Sequence, residues 1–298
     1  MTTQFISLDW GTTSFRAYRV GNDGSILETI AAAEGIMAVK DGAFDEVLES
    51  HIGAWDAGLP IIASGMVTSR QGWVELPYVP CPANVNTIAG AVLRHKTKRG
   101  RSIHFIPGVS SRNADGTPDV ARGEETQVIG ASQGGTEHFL TPGTHCKWID
   151  VNNGEISAFY TYMTGEVFAL LKNHSILGRL MTGDRFSDAA FERGVRNALK
   201  DPSGFLHRIF SARTLALFDE MPGDDISSYL SGQVIGTEIG HAITRNSNSA
   251  HYTILASPAL AAHYVTAMKI AGLSVGFGDP TVAVKGQRLI AKTAGIIP

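Results

Sequence analysis

Gln4-Phe5-Ile6-Ser7-Leu8-Asp9-Trp10-Gly11-Thr12-Thr13 is the stretch on which the reading of the chain turns. Apolar and polar residues alternate from Gln4 to Asp9, the period of a half-buried strand. The strand ends in an acid, and the turn after it holds a glycine and two hydroxyls. Such a turn suits a phosphate. Gly11 lets the backbone come close, and Thr12 and Thr13 supply donors. An acid at the strand end can hold Mg²⁺ through its waters. Arg16, in a second strand expected over 13–20, can clamp an anionic oxygen. Gly21-Asn22-Asp23-Gly24 is a strong turn signal, and a third strand is expected over 25–33. An ordinary hairpin with a Gly-Thr turn is the rival reading, but an apolar strand followed by D-x-G-T-T is rarer than either dipeptide alone.

Outward from this hairpin the pattern is mixed. Phe44, Val47, Leu48, Ile52 and Trp55 fall at helical spacing. A strand is expected over 60–63, a helix over 84–96, a strand over 102–106, and a helix over 119–131 capped by Asp119. Three strands over 137–141, 147–151 and 155–162 then repeat the opening, with Asn152-Asn153-Gly154 as the second hairpin turn. A helix follows over 165–173. After a polar, mostly helical stretch come a strand over 252–256, a helix over 258–271, a strand over 273–275 and a helix over 279–294. The chain therefore reads as an α/β protein of two related domains, 1–130 and 131–298, the second carrying a helical insertion near 182–246. The repeat is one of pattern, with no residue-level repeat beneath it.

Length and composition agree. At 298 residues the chain is long enough for two ordinary domains, and 43% apolar with 18% charged residues fits a folded soluble protein. A net charge of -3 argues against a nucleic-acid partner. No apolar run reaches the ~18 residues of a membrane span. The first residues have neither a basic nor an apolar leader region, so no secretory signal is expected. Cys81 and Cys146 are the only cysteines, which excludes a disulfide framework and a four-cysteine zinc site and makes the cytoplasm the expected compartment.

Further segments carry candidate chemistry. Pro142-Gly143-Thr144-His145-Cys146-Lys147-Trp148 holds the place in the second half that the Asp9 turn holds in the first. Two such turns can grip a triphosphate from both sides, although a plain Pro-Gly turn has the same sequence. Pro118-Asp119-Val120-Ala121-Arg122-Gly123-Glu124-Glu125 opens a helix, where a carboxylate can deprotonate an acceptor hydroxyl or simply favour the helix dipole. Ser64-Gly65-Met66 and Arg70 lie in a long loop after a buried strand, where α/β proteins bind ligands. Arg70 is a candidate for a substrate carboxylate. Met163-Thr164-Gly165-Glu166 and His174-Ser175 with Gly178-Arg179 line a site or merely surround a helix. Ala256-Ser257-Pro258 is a strand-to-helix turn whose small residues suit the flat face of an adenine.

Taken together, D-x-G-T-T (9–13), S-G-M-x-x-S-R-Q-G-W (64–73), P-D-V-x-R-G-E-E-T-Q (118–127), P-G-T-H-x-K-W (142–148), M-T-G-E (163–166) and H-S-I-L-G-R (174–179) resemble the 2-dehydro-3-deoxygalactonokinase family. The resemblance runs over nearly the whole chain in order. It implies two ribonuclease-H-like (actin-like ATPase) domains with a cleft between them. The first would be the sugar-acid side and the second the nucleotide side. It also implies ATP-dependent phosphorylation of the terminal hydroxyl of 2-dehydro-3-deoxy-D-galactonate in galactonate catabolism, with ATP and Mg²⁺ as cofactors. Arg122-Gly123-Glu124-Glu125 is also similar to the G-x-E-E segment of exopolyphosphatases, which favours Glu124 or Glu125 over Asp119 as the base. On this reading Asp9 holds the metal. Gly11, Thr12, Thr13, Gly143, Thr144 and His145 cradle the phosphates, and Lys147 or Arg16 offsets charge. Ser257 and Pro258 meet the adenine, and Ser64, Gly65, Met66, Arg70 and Arg122 meet the sugar acid. Cys146 stands where serine is expected, and Ala256 where glycine is commoner. The rival readings are a phosphohydrolase of the exopolyphosphatase type and a non-catalytic actin-like regulator. Sequence leaves a homodimer open.

Overall fold

In a computed structural model the structure describes residues 3–183, 185–245 and 251–298. Met1 and Thr2 of the first expected domain, and Asp184 and 246–250 of the second, lie outside the described residues. Two of these, Asp184 and Asn246, belong to the expected 182–246 insertion.

The first part of the chain forms β1 (Thr3–Trp10), β2 (Phe15–Gly21), β3 (Ile26–Ala32), α1 (Phe44–Ile52), β4 (Ile61–Ser64), β5 (Val79–Pro80), α2 (Val85–Ala89), β6 (Leu93–Lys96), β7 (Ser102–Phe105), β8 (Val109–Arg112), β9 (Pro118–Ala121) and α3 (Glu124–Ala131). Then follow β10 (Thr136–Thr141), β11 (Cys146–Asn152), β12 (Glu155–Tyr162), α4 (Thr164–His174), α5 (Asp188–Leu199), α6 (Phe205–Arg208), α7 (Ser211–Leu217), α8 (Gly223–Ala242), β13 (His251–Ile254), α9 (Pro258–Ile270), β14 (Ser274–Phe277) and α10 (Val282–Thr293).

Two expected elements are corrected. The helix over 84–96 stops at Ala89. Asn84 caps it by accepting from the amides of Asn86 and Thr87, and 93–96 becomes the outer strand β6, antiparallel to β7. Ladder bonds offered by the open side of β7 outweigh the helical preference of Leu93-Arg94-His95-Lys96. The helix over 119–131 begins only at Glu124. Asp119 lies in β9 opposite Ser111, and the chain turns into α3 through Gly123 at φ +107°, a conformation a side chain would strain.

The chain divides into two compact units. One comprises Met1–Glu137, Ile149–Phe159 and Asp279–Pro298; the other comprises His138–Trp148 and Tyr160–Gly278. The first change of unit thus falls seven residues beyond 130 (137 − 130), and the tail carrying α10 goes with the first unit, because α10 lies on α3. Gly130 and Gly286 make that contact. A Cβ on Gly286 would sit 1.8 Å from the Thr126 carbonyl oxygen, and one on Gly130 would sit 1.9 Å from that of Val282. The helices therefore touch backbone to backbone.

In the first unit the sheet order is β3-β2-β1-β4-β7-β6. β1 is antiparallel to β2 and parallel to β4, with Leu8 opposite Ala63 and Asp9 opposite Ser64. Trp10 anchors the core, edge-on to Phe15 at 5.1 Å and Phe44 at 5.5 Å, and its indole N–H donates to the Glu34 carbonyl. The burial of Trp10 on one side of β1 and the turn after it fix where Asp9 emerges. A smaller sheet, β5-β8-β9, had no counterpart in the sequence reading.

The other sheet runs β12-β11-β10-β13-β14, with β10, β13 and β14 parallel. Both large sheets therefore share the order third, second, first, fourth, then one further parallel strand, the topological form of the duplication, and the first sheet adds antiparallel β6 at its edge. In the second unit α5 and α8 cross closely. Added Cβ atoms on Gly194 and Gly232 would lie 2.1 Å from the Tyr229 and Phe191 carbonyl oxygens. This pair is the main body of the stretch that sequence left unassigned.

Candidate active site

Asp9 is the last residue but one of β1 in the first unit, and the turn after the strand is held from behind. Ile36 donates to the Gly11 carbonyl and Met37 to that of Thr12. Gly35 packs so tightly that a Cβ there would come 2.3 Å from Thr12 and Thr13 backbone. With its carbonyls occupied, the turn leaves the side chains of Thr12 and Thr13 exposed. Arg16, across the hairpin, puts Nη1 3.6 Å from the Asp9 carboxylate. The Asp9 side chain is 28% exposed, yet enough protein surrounds it to raise its pKa by burial, against the lowering pull of Arg16; the charge of Glu124 raises it further.

Two glycines bring the other candidate acids to this point. Gly65 has φ +94°, and a Cβ on it would approach the Trp10 carbonyl oxygen at 2.9 Å and Asp9 Oδ1 at 3.2 Å. Gly123 lies against Gly65 in turn, 3.3 Å from its Cα measured from a built Cβ. The start of α3 is thereby brought towards Asp9. Glu124 is half-buried and its carboxylate accepts from the Arg122 amide at 2.8 Å. Glu125 is 1% exposed and accepts from the Gly123 amide at 2.7 Å. Burial, and then the charge of Glu124, push the Glu125 carboxyl up to about 8. Burial therefore favours the protonated form of Glu125 and keeps it from solvent, whereas Glu124 has both exposure and proximity to Asp9.

This has a consequence for stability. A carboxyl whose pKa rises on folding binds its proton more tightly in the folded state, so its contribution is present below the unfolded value of 4.5 and is lost as pH rises through about 8. Glu125→Gln keeps an acceptor for the Gly123 amide and removes the titration. Urea denaturation at pH 5, 7 and 9 should show the variant losing less stability with rising pH than wild type, by an amount on the order of a few kcal/mol. Parallel curves for the two proteins would refute the assignment.

The expected sugar-acid residues divide. Ser64 is 1% exposed and is committed internally: its Oγ accepts from Gln287 Nε2 at 2.8 Å and lies 3.5 Å from Thr126 Oγ1. Gly65 is at the Asp9 carboxylate, and Met66 packs partly against the core. Arg122 is buried, donating to Thr68 Oγ1 at 2.6 Å and the Leu76 carbonyl at 3.0 Å, with its guanidinium 4.3 Å from the centre of the Tyr78 ring. Two of its nitrogens thus tie the 66–78 loop to the approach to α3, while its buried Nε has no partner among the described residues. Arg70 is 82% exposed and pairs loosely with Glu75 at 3.5 Å.

In the second unit the Gly143-Thr144-His145 turn is pinned by the start of α4. Gly165 would clash with the Gly143 carbonyl at 2.3 Å if it carried a Cβ. The Glu166 amide donates to Thr144, and its carboxylate meets His145 Nε2 at 2.6 Å. Lys147 is only 5% exposed. Cys146 points into the core, where burial and the neighbouring Glu238 raise its thiol well above the ordinary value. The thiol therefore faces away from the Gly143-Thr144-His145 turn. Glu238, itself 3% exposed, accepts from Trp148, Thr164 and Tyr264. This network fixes β11 and the first residue of α4, and so the turn between them.

The same unit contains a cavity of about 290 Å³ whose lining includes Gly143, Gly165, Phe168, Phe186, Ser231 and His263. Phe186 stacks on His263 at 4.1 Å, and burial lowers the His263 pKa. Ser257 and Pro258 are exposed at the start of α9, and Leu260, two residues beyond Pro258, lines the cavity. Phe168 and Ser231 carry no sequence signal because apolar and small residues on helices look like core, and Phe186, two residues ahead of α5, because a lone aromatic outside any element has no periodicity to mark it. Thr126 lies in the 118–127 motif without a role assigned to it, and Gln287 carries the one legible signal outside the motifs, a glutamine on the inward face of the last helix. Among the described residues no group of three or more His, Cys, Asp or Glu is placed to hold a metal ion, and no helix is long and apolar enough to cross a membrane.

The comparisons bear on this arrangement. A protein named "Probable 2-dehydro-3-deoxygalactonokinase DgoK1" from Rhizobium meliloti (strain 1021) is 35% identical over 295 residues, 96% of each chain. The 2-dehydro-3-deoxygalactonokinase of Escherichia coli (strain K12) is 32% identical, covering 98% of each. A crystal structure of a Sinorhizobium meliloti protein assigned to the same activity superposes with a TM-score of 0.89 at 34% identity, over 97% of this chain and 98% of that one. Component A of the (R)-2-hydroxyglutaryl-CoA dehydratase of Acidaminococcus fermentans, at 13% identity and a TM-score of 0.51, shares the fold alone, that of the actin-like ATPases and sugar kinases. The model of the 2-keto-3-deoxy-galactonokinase family matches residues 9–289, from the Asp9 turn to the helix that carries Gln287, and the chain belongs to that family.

Proposed function

We propose that the chain is an ATP-dependent kinase that phosphorylates the terminal hydroxyl of 2-dehydro-3-deoxy-D-galactonate in galactonate catabolism in the cytoplasm. The observation that carries the reading is the convergence of Asp9, Gly65 and Glu124 at the end of β1, beside Arg16 and the Gly11–Thr13 turn. Phosphoryl transfer asks mainly for positioning and charge neutralisation, and these residues supply both.

Glu124 accepts the proton of the acceptor hydroxyl as its oxygen bonds to the γ-phosphorus. The bond from that phosphorus to the bridging oxygen breaks, and ADP leaves. The exposed hydroxyls of Thr12 and Thr13 hold phosphate oxygens, and Gly11, whose own N–H donates to the Ser14 carbonyl, keeps the turn slim enough for them to approach. Arg16, exposed beside Asp9, offsets charge better than Lys147, whose side chain is buried. Asp9 fits a Mg²⁺ carried by the nucleotide, since one partly exposed carboxylate acting through water suffices for an ion already held by phosphates. That ion would neutralise charge on the transferred group. Arg70, exposed and only loosely paired with Glu75, takes the sugar-acid carboxylate, since Arg122 is buried with both terminal nitrogens engaged. In the second unit, Gly143, Thr144 and His145 hold phosphate oxygens, and the cavity beside Phe186 and His263 takes the nucleoside, with Ser257 and Pro258 at its approach.

A coupled ADP-release assay against a panel of 2-keto-3-deoxy sugar acids tests this. ADP release should require a sugar acid and be fastest with the galactonate derivative. Equal ATP turnover without any sugar acid would sink the kinase reading in favour of a phosphohydrolase.

A further inference from the structure

Gln287 lies on α10, far along the chain from the motifs that define the site, and is fully buried. The inward face of this helix is otherwise apolar or glycine, with Val284, Gly286, Ile290 and Ala291. A glutamine there costs conformational entropy and desolvation, so its bonds must repay both. The amide Nε2 donates twice, to the Leu8 carbonyl at 2.9 Å and to Ser64 Oγ at 2.8 Å. Leu8 precedes Asp9, and Ser64 precedes Gly65. One NH₂ group therefore ties the ends of two neighbouring parallel strands, each immediately before a site residue.

The chain of contacts continues. Ser64 Oγ lies 3.5 Å from Thr126 Oγ1, and Thr126 Oγ1 donates to the Gly123 carbonyl at 2.6 Å. Gly123 is the residue before Glu124. The three elements that carry Asp9, Gly65 and Glu124 are thus linked through Gln287, Ser64 and Thr126, all of them 1% exposed or less. The backbone contact of Gly286 with Thr126 holds α10 at the distance this requires.

We infer that Gln287 is a positioning residue, setting the spacing of Asp9, Gly65 and Glu124 from the back of the sheet without touching a substrate. The inference rests on the kinase reading above. A displacement of about 1 Å at reacting groups can cost on the order of 10²-fold in rate, so the effect should fall on turnover rather than on nucleotide affinity.

The test uses three variants of the full chain. Gln287→Met keeps the shape and removes both donors. Ser64→Ala removes the centre of the chain of contacts. Val284→Ala, on the same helix and buried with no polar bond to lose, is the control for stability. Wild-type activity on the sugar acid is measured first; its absence would refute the kinase reading and this inference together. With wild type active, Gln287→Met should lower kcat about 10- to 100-fold with the KM for ATP nearly unchanged. Ser64→Ala should shift kcat the same way by a smaller factor. Val284→Ala should lose comparable stability in urea and keep its kcat. A Gln287→Met kcat close to wild type, or a loss matched by Val284→Ala, overturns the inference. If Gln287→Met does not fold, Ser64→Ala decides, and an unchanged kcat there overturns it.

Discussion

Glu124→Gln lowers kcat by about 10²–10⁴-fold, the usual contribution of a positioned base, while ATP binding is retained. The argument rests on the contrast with its neighbour. Successive helix residues point about 100° apart, and here the difference is visible: Glu125 is 1% exposed with a carboxyl pushed up to about 8, and Glu124 is half-buried beside Asp9. Glu125→Gln should therefore change kcat little, apart from what it does to stability. The pH–rate profile supplies a second readout. Glu124 raises the Asp9 pKa, so removing its charge lets Asp9 ionise at lower pH. What remains of the acidic limb should move to lower pH in Glu124→Gln. Mild, equal losses in both glutamate variants would put the base elsewhere.

Asp9→Asn should cost on the order of 10²-fold or more in kcat, the loss typical when a transition-state electrostatic contact is removed. The fold should survive it. Arg16 and Asp9 are 3.6 Å apart and partly exposed, and ion pairs of that kind contribute little to stability. Unfolding should thus change slightly while turnover collapses, a split that purely structural damage would not produce. Turnover near the wild-type rate at saturating Mg²⁺ would end the assignment of Asp9 to the metal-bearing phosphates.

Much of this was legible from the sequence where local and global demands agree. β1 to β3 announce themselves by alternation and by an Asn22-Asp23-Gly24 turn. Legibility failed where long-range contacts decide. Nothing local makes Leu93-Arg94-His95-Lys96 a strand; the open side of β7 does. Asp119 reads as a helix cap until Gly123, at φ +107°, is seen to delay the helix by several residues. Ser64 and Arg122 carry the right atoms for a sugar acid, but their partners are Gln287, Thr68 and Leu76, up to 223 residues away. The choice between Glu124 and Glu125 likewise depends on burial, which two adjacent identical letters do not encode.

The packing of α10 on α3 has a consequence for how the molecule is made. Ala131 ends α3 and Val282 begins α10, so a ribosome must add about 150 further residues before the surface around Gly130 finds its cover. At roughly 5–20 residues per second this takes on the order of ten to thirty seconds. Throughout that interval the Ser64 hydroxyl and the Leu8 carbonyl lack their glutamine, and the apolar side of α3 faces water or a chaperone. The first unit to emerge is therefore finished only after the second has been synthesised. A nascent chain stalled between 131 and 282 would hold the motifs of the candidate site while lacking the helix that aligns them.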